Sequence, residues 1–301
     1  MNANFKGVLP AITTPFNADL TVDHGFLGEH CRWLVDQGSV GIVPIGSLGE
    51  AATLSTLEKR KVLETCVSAV GDRVPIAAGI SALGTREAIA LAEDAAAAGC
   101  RALMVLPPYV YSTDWREMRA HVAAVIAATE LPCMLYNNPV AYRTDFVPEQ
   151  IAELAEAYPN LRAVKESSTD VRRVTAIRAL LGNRLDILVG VDDAIVEGIS
   201  AGASGWVAGL VNAFPAESVA LYRYAMDGRT REAAELYRWF LPLLRMDTVP
   251  KFVQLIKLAQ EKAGWGRPHV RPPRLALEGE EAQKALSVID RAIATRPRVQ
   301  L

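Results

Sequence analysis

The sequence predicts an α/β protein: a (β/α)8 TIM barrel over residues 1–226, followed by a C-terminal helical extension over residues 227–301. Three observations carry that expectation. Short apolar runs recur about every 25–30 residues, the size of a βα unit. Amphipathic helical stretches separate them. After Asp227 the alternation stops, and helical patterns follow one another with no strand between.

In chain order the apolar runs are 7–13, 40–45, 74–78, 102–106, 133–136, 162–165, 186–190 and 205–208. Runs of this kind suit strands of a parallel sheet covered by helices. Eight of them favour closure into a barrel. An open doubly wound sheet is the structural alternative, but no G-x-G-x-x-G follows the first run. Between the runs, 56–70 reads as a helix, with Leu57, Val62, Leu63 and Val67 set among Glu58, Lys59, Arg60, Lys61 and Glu64. Helices are also predicted at 85–98 and 148–158. In the tail they are predicted at 230–244, 249–263 and 278–295. Gly266, Pro268, Pro272 and Pro273 mark 264–275 as a loop. The extension is expected to pack on the barrel as an oligomerisation or lid element, not as an independent domain.

Composition narrows the function classes. The chain has 301 residues, half of them hydrophobic, enough for a large core. Its formal net charge is −2 and both signs are interspersed, so neither nucleic acid nor an anionic membrane is an expected partner. No stretch of about 20 residues is continuously apolar, and the N-terminus lacks a charged segment followed by an apolar run. Cys31, Cys66, Cys100 and Cys133 form no C-x-x-C pair. They read as buried reduced thiols in a cytoplasmic protein.

Barrel enzymes carry their chemistry at the C-terminal ends of strands. Lys165 ends the sixth run, in Ala163-Val164-Lys165-Glu166-Ser167-Ser168. A buried lysine there is either a structural ion pair, with Glu166 the nearest candidate, or a desolvated amine able to attack a carbonyl or imine carbon. Tyr136 ends the fifth run, in Tyr136-Asn137-Asn138-Pro139. It is either an amphipathic core residue or, on the strand beside Lys165, a proton relay. Gly46-Ser47-Leu48-Gly49-Glu50 follows the second run. It is either a common Gly-Ser loop or a carboxylate cradle built from backbone N–H groups and the Ser47 hydroxyl. Trp206 in the eighth run is either barrel core or pocket lining.

Together these segments resemble the dihydrodipicolinate synthase / N-acetylneuraminate lyase superfamily. The resemblance rests on Gly46-Ser47-Leu48-Gly49-Glu50-Ala51 with Thr53-Leu54, on Tyr136-Asn137-Asn138-Pro139, on Val164-Lys165-Glu166-Ser167-Ser168, and on Ala11-Ile12-Thr13-Thr14-Pro15-Phe16. It covers essentially the whole chain. It implies Lys165 as Schiff-base nucleophile, Tyr136 as proton relay and the Ser47 loop as carboxylate site. Gly46, Ser47, Leu48, Asn138, Ser168, Trp206 and Val207 are the expected substrate contacts. No metal or organic cofactor is implied, the substrate is a small molecule, and a homotetramer or homodimer is the expected assembly.

The chain also departs from the synthase pattern. Synthases carry two consecutive threonines where Ser47-Leu48 stand. They carry a relay tyrosine at the position of Val110, which Tyr109 and Tyr111 flank. They carry a carboxylate-binding arginine at the position of Ala141, with Arg143 the only nearby replacement. Tyr136 to Tyr142, Lys165 to Arg173, Gly205 to Asn212 and Val270-Arg271-Pro272-Pro273-Arg274-Leu275 resemble one branch, the Δ1-pyrroline-4-hydroxy-2-carboxylate deaminases of bacterial hydroxyproline breakdown. That branch implies a deaminase. A 2-oxo-3-deoxy sugar-acid aldolase or dehydratase is the runner-up, the synthase itself comes third, and a non-catalytic sensor on the same scaffold is the reading from another class.

Overall fold

Parallel strands close a ring around the core. In the computed structural model, which describes residues 5–110 and 114–299, the strands are β1 (Gly7–Pro10), β2 (Ala77–Ile80), β3 (Ala102–Val105), β4 (Cys133–Asn137), β5 (Leu161–Glu166), β6 (Asp186–Val189) and β7 (Gly205–Ala208). All pairs are parallel, in the order β1-β7-β6-β5-β4-β3-β2. The remaining gap, between β1 and β2, is spanned by the second predicted run. Val43 bridges Ala11 and Ile42 bridges Ile76, both in parallel. Val40 N–H donates to Val8 O at 3.0 Å, and Gly79 N–H donates to Pro44 O at 3.0 Å. Pro44 has no N–H to give, so this eighth stave is bridged rather than laddered. All eight predicted runs thus have a place in the ring.

The third run is shifted from its expected position. It was read as 74–78, and the strand is Ala77–Ile80. Val74 N–H closes the turn after the preceding helix by bonding Val70 O at 3.0 Å, and Pro75 has no donor. The apolar pattern runs through both turn and strand, so periodicity could not separate them.

The outer layer is helical. The helix Thr56–Val70 starts with a capping box, in which Ser55 accepts from Glu58 N–H and the Glu58 side chain reaches back to Ser55 N–H. It buries Val62, Leu63, Cys66 and Val70. Leu57, counted in its apolar face from sequence, is exposed, because it lies well off that stripe. Helices Thr85–Ala97 and Pro148–Ala157 occupy the two other predicted barrel stretches. All four cysteines are buried and free. Among the described residues, no helix is long and apolar enough to cross a membrane.

The tail forms helices Thr230–Leu244, Phe252–Lys262 and Gly279–Ala294. The middle one was expected from residue 249. It begins later because Arg245–Thr248 first makes a 3-10 turn and Pro250 follows. The tail reaches over the catalytic end of the barrel. Lys257 Nζ lies 2.6 Å from Glu50 Oε1, with both side chains inaccessible to solvent. Arg271 bonds the Glu58 carboxylate at 2.6 and 3.0 Å and also the carbonyls of Leu20 and Thr53.

Candidate active site

Lys165 and Tyr136 are paired neighbours on β5 and β4. Alternation along a strand sends successive side chains to opposite faces, and that sorts this region. Glu166 binds Asn137 Nδ2 at 3.1 Å and Ser168 N–H at 2.6 Å, on the other face from Lys165. Among the described residues Lys165 makes no salt bridge within 4.0 Å, so the ion pair with Glu166 does not form. Its Nζ instead lies 4.1 Å from the centroid of the Tyr136 ring. Lys165 is 7 % exposed. Burial pulls its pKa down to about 8, with Asp247 and Asp192 opposing that shift. A fraction of the amine is therefore neutral near pH 7, the form a nucleophile needs. The stem of Lys165 crosses Gly190, where an added Cβ would sit 2.7 Å from its Cγ and Cε. A side chain at position 190 would displace the nucleophile.

The Tyr136 hydroxyl accepts from Asn138 Nδ2 at 3.0 Å. Burial pushes its pKa up to about 12, against the hydrogen bond from Asn138. It is therefore protonated at rest. Asn138 is doubly used, since its Oδ1 also accepts from Ala141 N–H at 2.9 Å and caps the short turn Pro139–Tyr142. Asn137, fully buried, holds the following loop through Phe146 N–H and O and through Asp145.

The second loop crosses the same opening. Gly46 and Leu48 are buried and Ser47 is half-buried. Ile45 and Glu50, at its two ends, both adopt left-handed backbone, with φ of 51° and 55°. Gly79 permits this path, because a Cβ there would lie 2.7 Å from Ile45 O. Among the described residues no acceptor takes the N–H of Ser47 or Leu48, which leaves both for a ligand. The Ser47 hydroxyl is hydrogen-bonded to the Tyr142 hydroxyl.

Other expected contacts are placed differently. Ser168 lies beyond Glu166 on the outer face, and its Oγ accepts from Asp170 N–H at 3.3 Å. Ser167, which sequence reasoning passed over, is buried with no hydrogen-bond partner, and its Oγ would meet a Cβ at Gly190. Trp206 is fully buried and donates its indole N–H to Asp192 Oδ1 at 3.0 Å. Val207 is buried beside Leu9 in the β1–β7 register. Successive residues of β7, they face opposite sides of the sheet, and the register puts Val207 on the Lys165 side and Trp206 on the Glu166 side. Arg143 is exposed in a left-handed C-cap, Ala141 is exposed, and Val110 is exposed. Tyr111 lies outside the described residues.

Two carboxylates complete the electrostatics, and sequence reasoning missed both. Asp192 follows β6 and accepts from Gly209 N–H, Leu210 N–H and Trp206. Burial raises its pKa to about 6. Its place at a strand C-terminus was a usable signal. Asp247 comes from the tail, with a carboxylate oxygen 2.4 Å from where a Gly209 Cβ would sit. Burial raises its pKa strongly, and the charge of Asp192 adds to that. No local pattern marks it. A groove of about 490 Å³ on the barrel flank, lined by His24, Arg32, Lys61 and Glu64 among others, contains none of these groups. The chemistry is therefore assigned to the strand ends.

This arrangement, a desolvated lysine facing a tyrosine beside a loop of free N–H groups, has named relatives. Residues 4–292 match the dihydrodipicolinate synthetase family. The chain belongs to that family. It is 35% identical over 291 residues to the 4-hydroxy-tetrahydrodipicolinate synthase of Rhizobium meliloti, covering 96% of this chain and 97% of that one. A crystal structure of dihydrodipicolinate synthase superposes with a TM-score of 0.89 at 32% identity, covering 96% of this chain and 99% of the other. The Acinetobacter baumannii synthase, solved with pyruvate, gives 0.91 at 28% identity, with 96% and 99% covered. Enzymes of the family work through a lysine Schiff base and require no metal or organic cofactor. The protein is thus a Schiff-base-forming class I lyase of the dihydrodipicolinate synthase superfamily on a TIM-barrel fold. These relatives bear the synthase name, and none of them is named a deaminase.

Proposed function

We propose that the protein is a 1-pyrroline-4-hydroxy-2-carboxylate deaminase that produces 2,5-dioxopentanoate and ammonia, with Lys165 as nucleophile and Tyr136 as proton carrier. One observation carries the choice over the synthase: the loop after β4 offers no cation to a second carboxylate. Ala141 stands at the arginine position, and Arg143 points to solvent. Leu48 and Val110 remove two further hydroxyls of the synthase pattern. A substrate with a single carboxylate suits what remains.

In the proposed reaction the neutral Lys165 amine adds to C2 of the cyclic imine, and the ring nitrogen leaves C2 as a primary amine still attached at C5. The carboxylate rests on the N–H groups of Ser47 and Leu48. Loss of a C3 proton gives an enamine, which expels the C4 hydroxyl as water, with Tyr136 shuttling protons. The double bond migrates to form an imine at C5. Two waters hydrolyse the imines at C2 and C5, releasing the product, ammonia and free Lys165. One water is lost and two are consumed, so the net reaction takes up one.

The unpartnered hydroxyl of Ser167 favours a second reading, a 2-oxo-3-deoxy sugar-acid aldolase or dehydratase, whose substrate brings more hydroxyls to the same Schiff base. Homotetramer or homodimer assembly belongs to both readings. The deciding experiment is ammonia release from 1-pyrroline-4-hydroxy-2-carboxylate, with Lys165→Ala as control. The expected result is release by the wild type alone. No release, with borohydride still trapping pyruvate on Lys165, would move the assignment to the sugar-acid enzymes.

A further inference from the structure

We propose that the groove on the barrel flank binds the phosphate group of a small phosphate ester, at a site separate from the Schiff-base centre. The inference does not depend on which substrate Lys165 takes.

Two helices form the groove, His24–Asp36 and Thr56–Val70. His24, Gly28 and Arg32 stand one turn apart on the first, and Lys61, Thr65 and Ala69 one turn apart on the second, so each triplet shares a face. Gly28 and Ala69 leave a hollow where the helices meet. A Cβ at Gly28 would lie 3.6 Å from Arg32 Nη1 and 3.8 Å from Ala69 Cβ, so the guanidinium folds over the glycine into that hollow. The volume of about 490 Å³ is in the range of small-molecule sites.

The polar groups of the groove are free to bind. Among the described residues, neither Arg32 nor Lys61 has a hydrogen-bond or salt-bridge partner for its charged end. The lining acid, Glu64, is engaged by Arg60 at 3.0 Å. His24, half-buried, is aimed by a bond whose direction is fixed. Thr65 Oγ donates its one proton to Lys61 O at 2.7 Å, so it accepts from His24 Nδ1 at 2.8 Å. The ring therefore carries its proton on Nδ1, and among the described residues Nε2 has no partner. A proton gained at Nε2 makes His24 a third cationic donor. Burial, then Lys61, hold the His24 pKa below its usual range, and Asp23 and Glu58 oppose that. A bound anion offsets the charge of Lys61 and favours the added proton. Arg32, Lys61 and His24 thus present donors with positive charge and no free acid among them, which suits the acceptor oxygens of a phosphate dianion. A lone phosphate ion fills a small part of the groove, and the rest is room for the organic group of an ester.

The rival account is a solvated basic patch that holds nothing in particular. The chain has four histidines, so carbon-13 labelling at Cε1 gives few NMR signals, and His24→Gln assigns the one needed. The probes are glycerol 3-phosphate, inorganic phosphate, and sodium chloride at matched ionic strength. With glycerol 3-phosphate the His24 signal should shift saturably, and its pKa should rise by about 1, as for a ring that gains an anionic neighbour. Arg32 and Lys61 are exposed, so Arg32→Ala and Lys61→Ala should keep the melting temperature and pyruvate trapping of the wild type. Each should weaken binding about tenfold or more, the scale of a lost charge-assisted hydrogen bond. Inorganic phosphate that binds as tightly as the ester would overturn the ester and assign the site to free phosphate. No saturable shift, an equal shift with sodium chloride, or unchanged binding in both variants would overturn the site itself. None of these outcomes bears on Lys165, whose trapping of pyruvate is measured separately.

Discussion

At the scale of single residues, the site is governed by the balance between desolvation and charge on one amine. Burial drives Lys165 down, and the carboxylates of Asp247 and Asp192 push it back up, which leaves it at about 8. The sign of the pH dependence follows. The nucleophile is protonated and inactive well below pH 8, and the Schiff-base rate should rise with pH through that value. Asp247→Asn removes the larger of the two opposing charges. Burial then acts with less resistance, the Lys165 pKa falls further, and the ascending limb moves to lower pH. The rate of pyruvate trapping against pH, measured for both proteins, checks this. An unmoved limb, or one moved upward, would show that Asp247 does not set the charge state of the amine. Lys165 and Tyr136 were legible in sequence because each is a conspicuous polar group ending an apolar run. Asp247 was not, because its effect arises only when the tail folds back over Gly209.

At the scale of elements, loops with unfavourable backbone are held by partners distant in sequence. Glu50 sits in left-handed conformation at the end of the carboxylate loop, and Lys257 holds its buried carboxylate from more than 200 residues away. Arg271 N–H donates to the same carboxylate at 3.2 Å, and Arg274 lies 3.6 Å from it. Removing one member of a buried pair strands the other, at a cost of about 3–5 kcal/mol. Lys257→Met should therefore lower stability by about that much in urea denaturation. It should also raise the KM for pyruvate in the exchange of its methyl hydrogens with deuterated water more than it lowers kcat, because the loop that binds the carboxylate loosens. A stability change below about 1 kcal/mol would mean that the arginines suffice. The helices were largely legible, since caps and periodicity are local: 56–70 and 230–244 were read to their ends. The stave at 40–45 was legible as apolar but not as irregular. Its lack of a ladder comes from Pro44 meeting neighbours that only the closed barrel supplies. Tyr142 was missed for a similar reason, because the turn that carries it is set by Asn137 and Asn138 contacts across β4 and β5.

At the scale of the whole molecule, the sequence divides at Asp227 into a repeating part and an appended part, while the energetics run across that line. The appended part supplies the cation for Glu50 from a helix, the guanidinium for Glu58 from a loop and the carboxylate beside Lys165 from a 3-10 turn. Its helices also bury Phe240, Leu243, Leu244, Val253 and Ile256 in the common core. Covering a large side chain of this kind is worth about 1.5–3 kcal/mol, and a domain's net stability is only about 5–15 kcal/mol. Losing several such contacts together therefore exceeds the margin, before the stranded charge of Glu50 is counted. A chain of residues 1–226 should show no cooperative thermal transition, should bind a hydrophobic dye, and should fail to trap pyruvate even though it retains Lys165, Tyr136 and the Ser47 loop. Calorimetry and borohydride trapping on the truncated chain test this directly. A truncated chain that melts cooperatively and traps pyruvate at the wild-type rate would make the tail an accessory to an already complete barrel. It would also return the control of Lys165 to groups within the first 226 residues, Asp192 foremost.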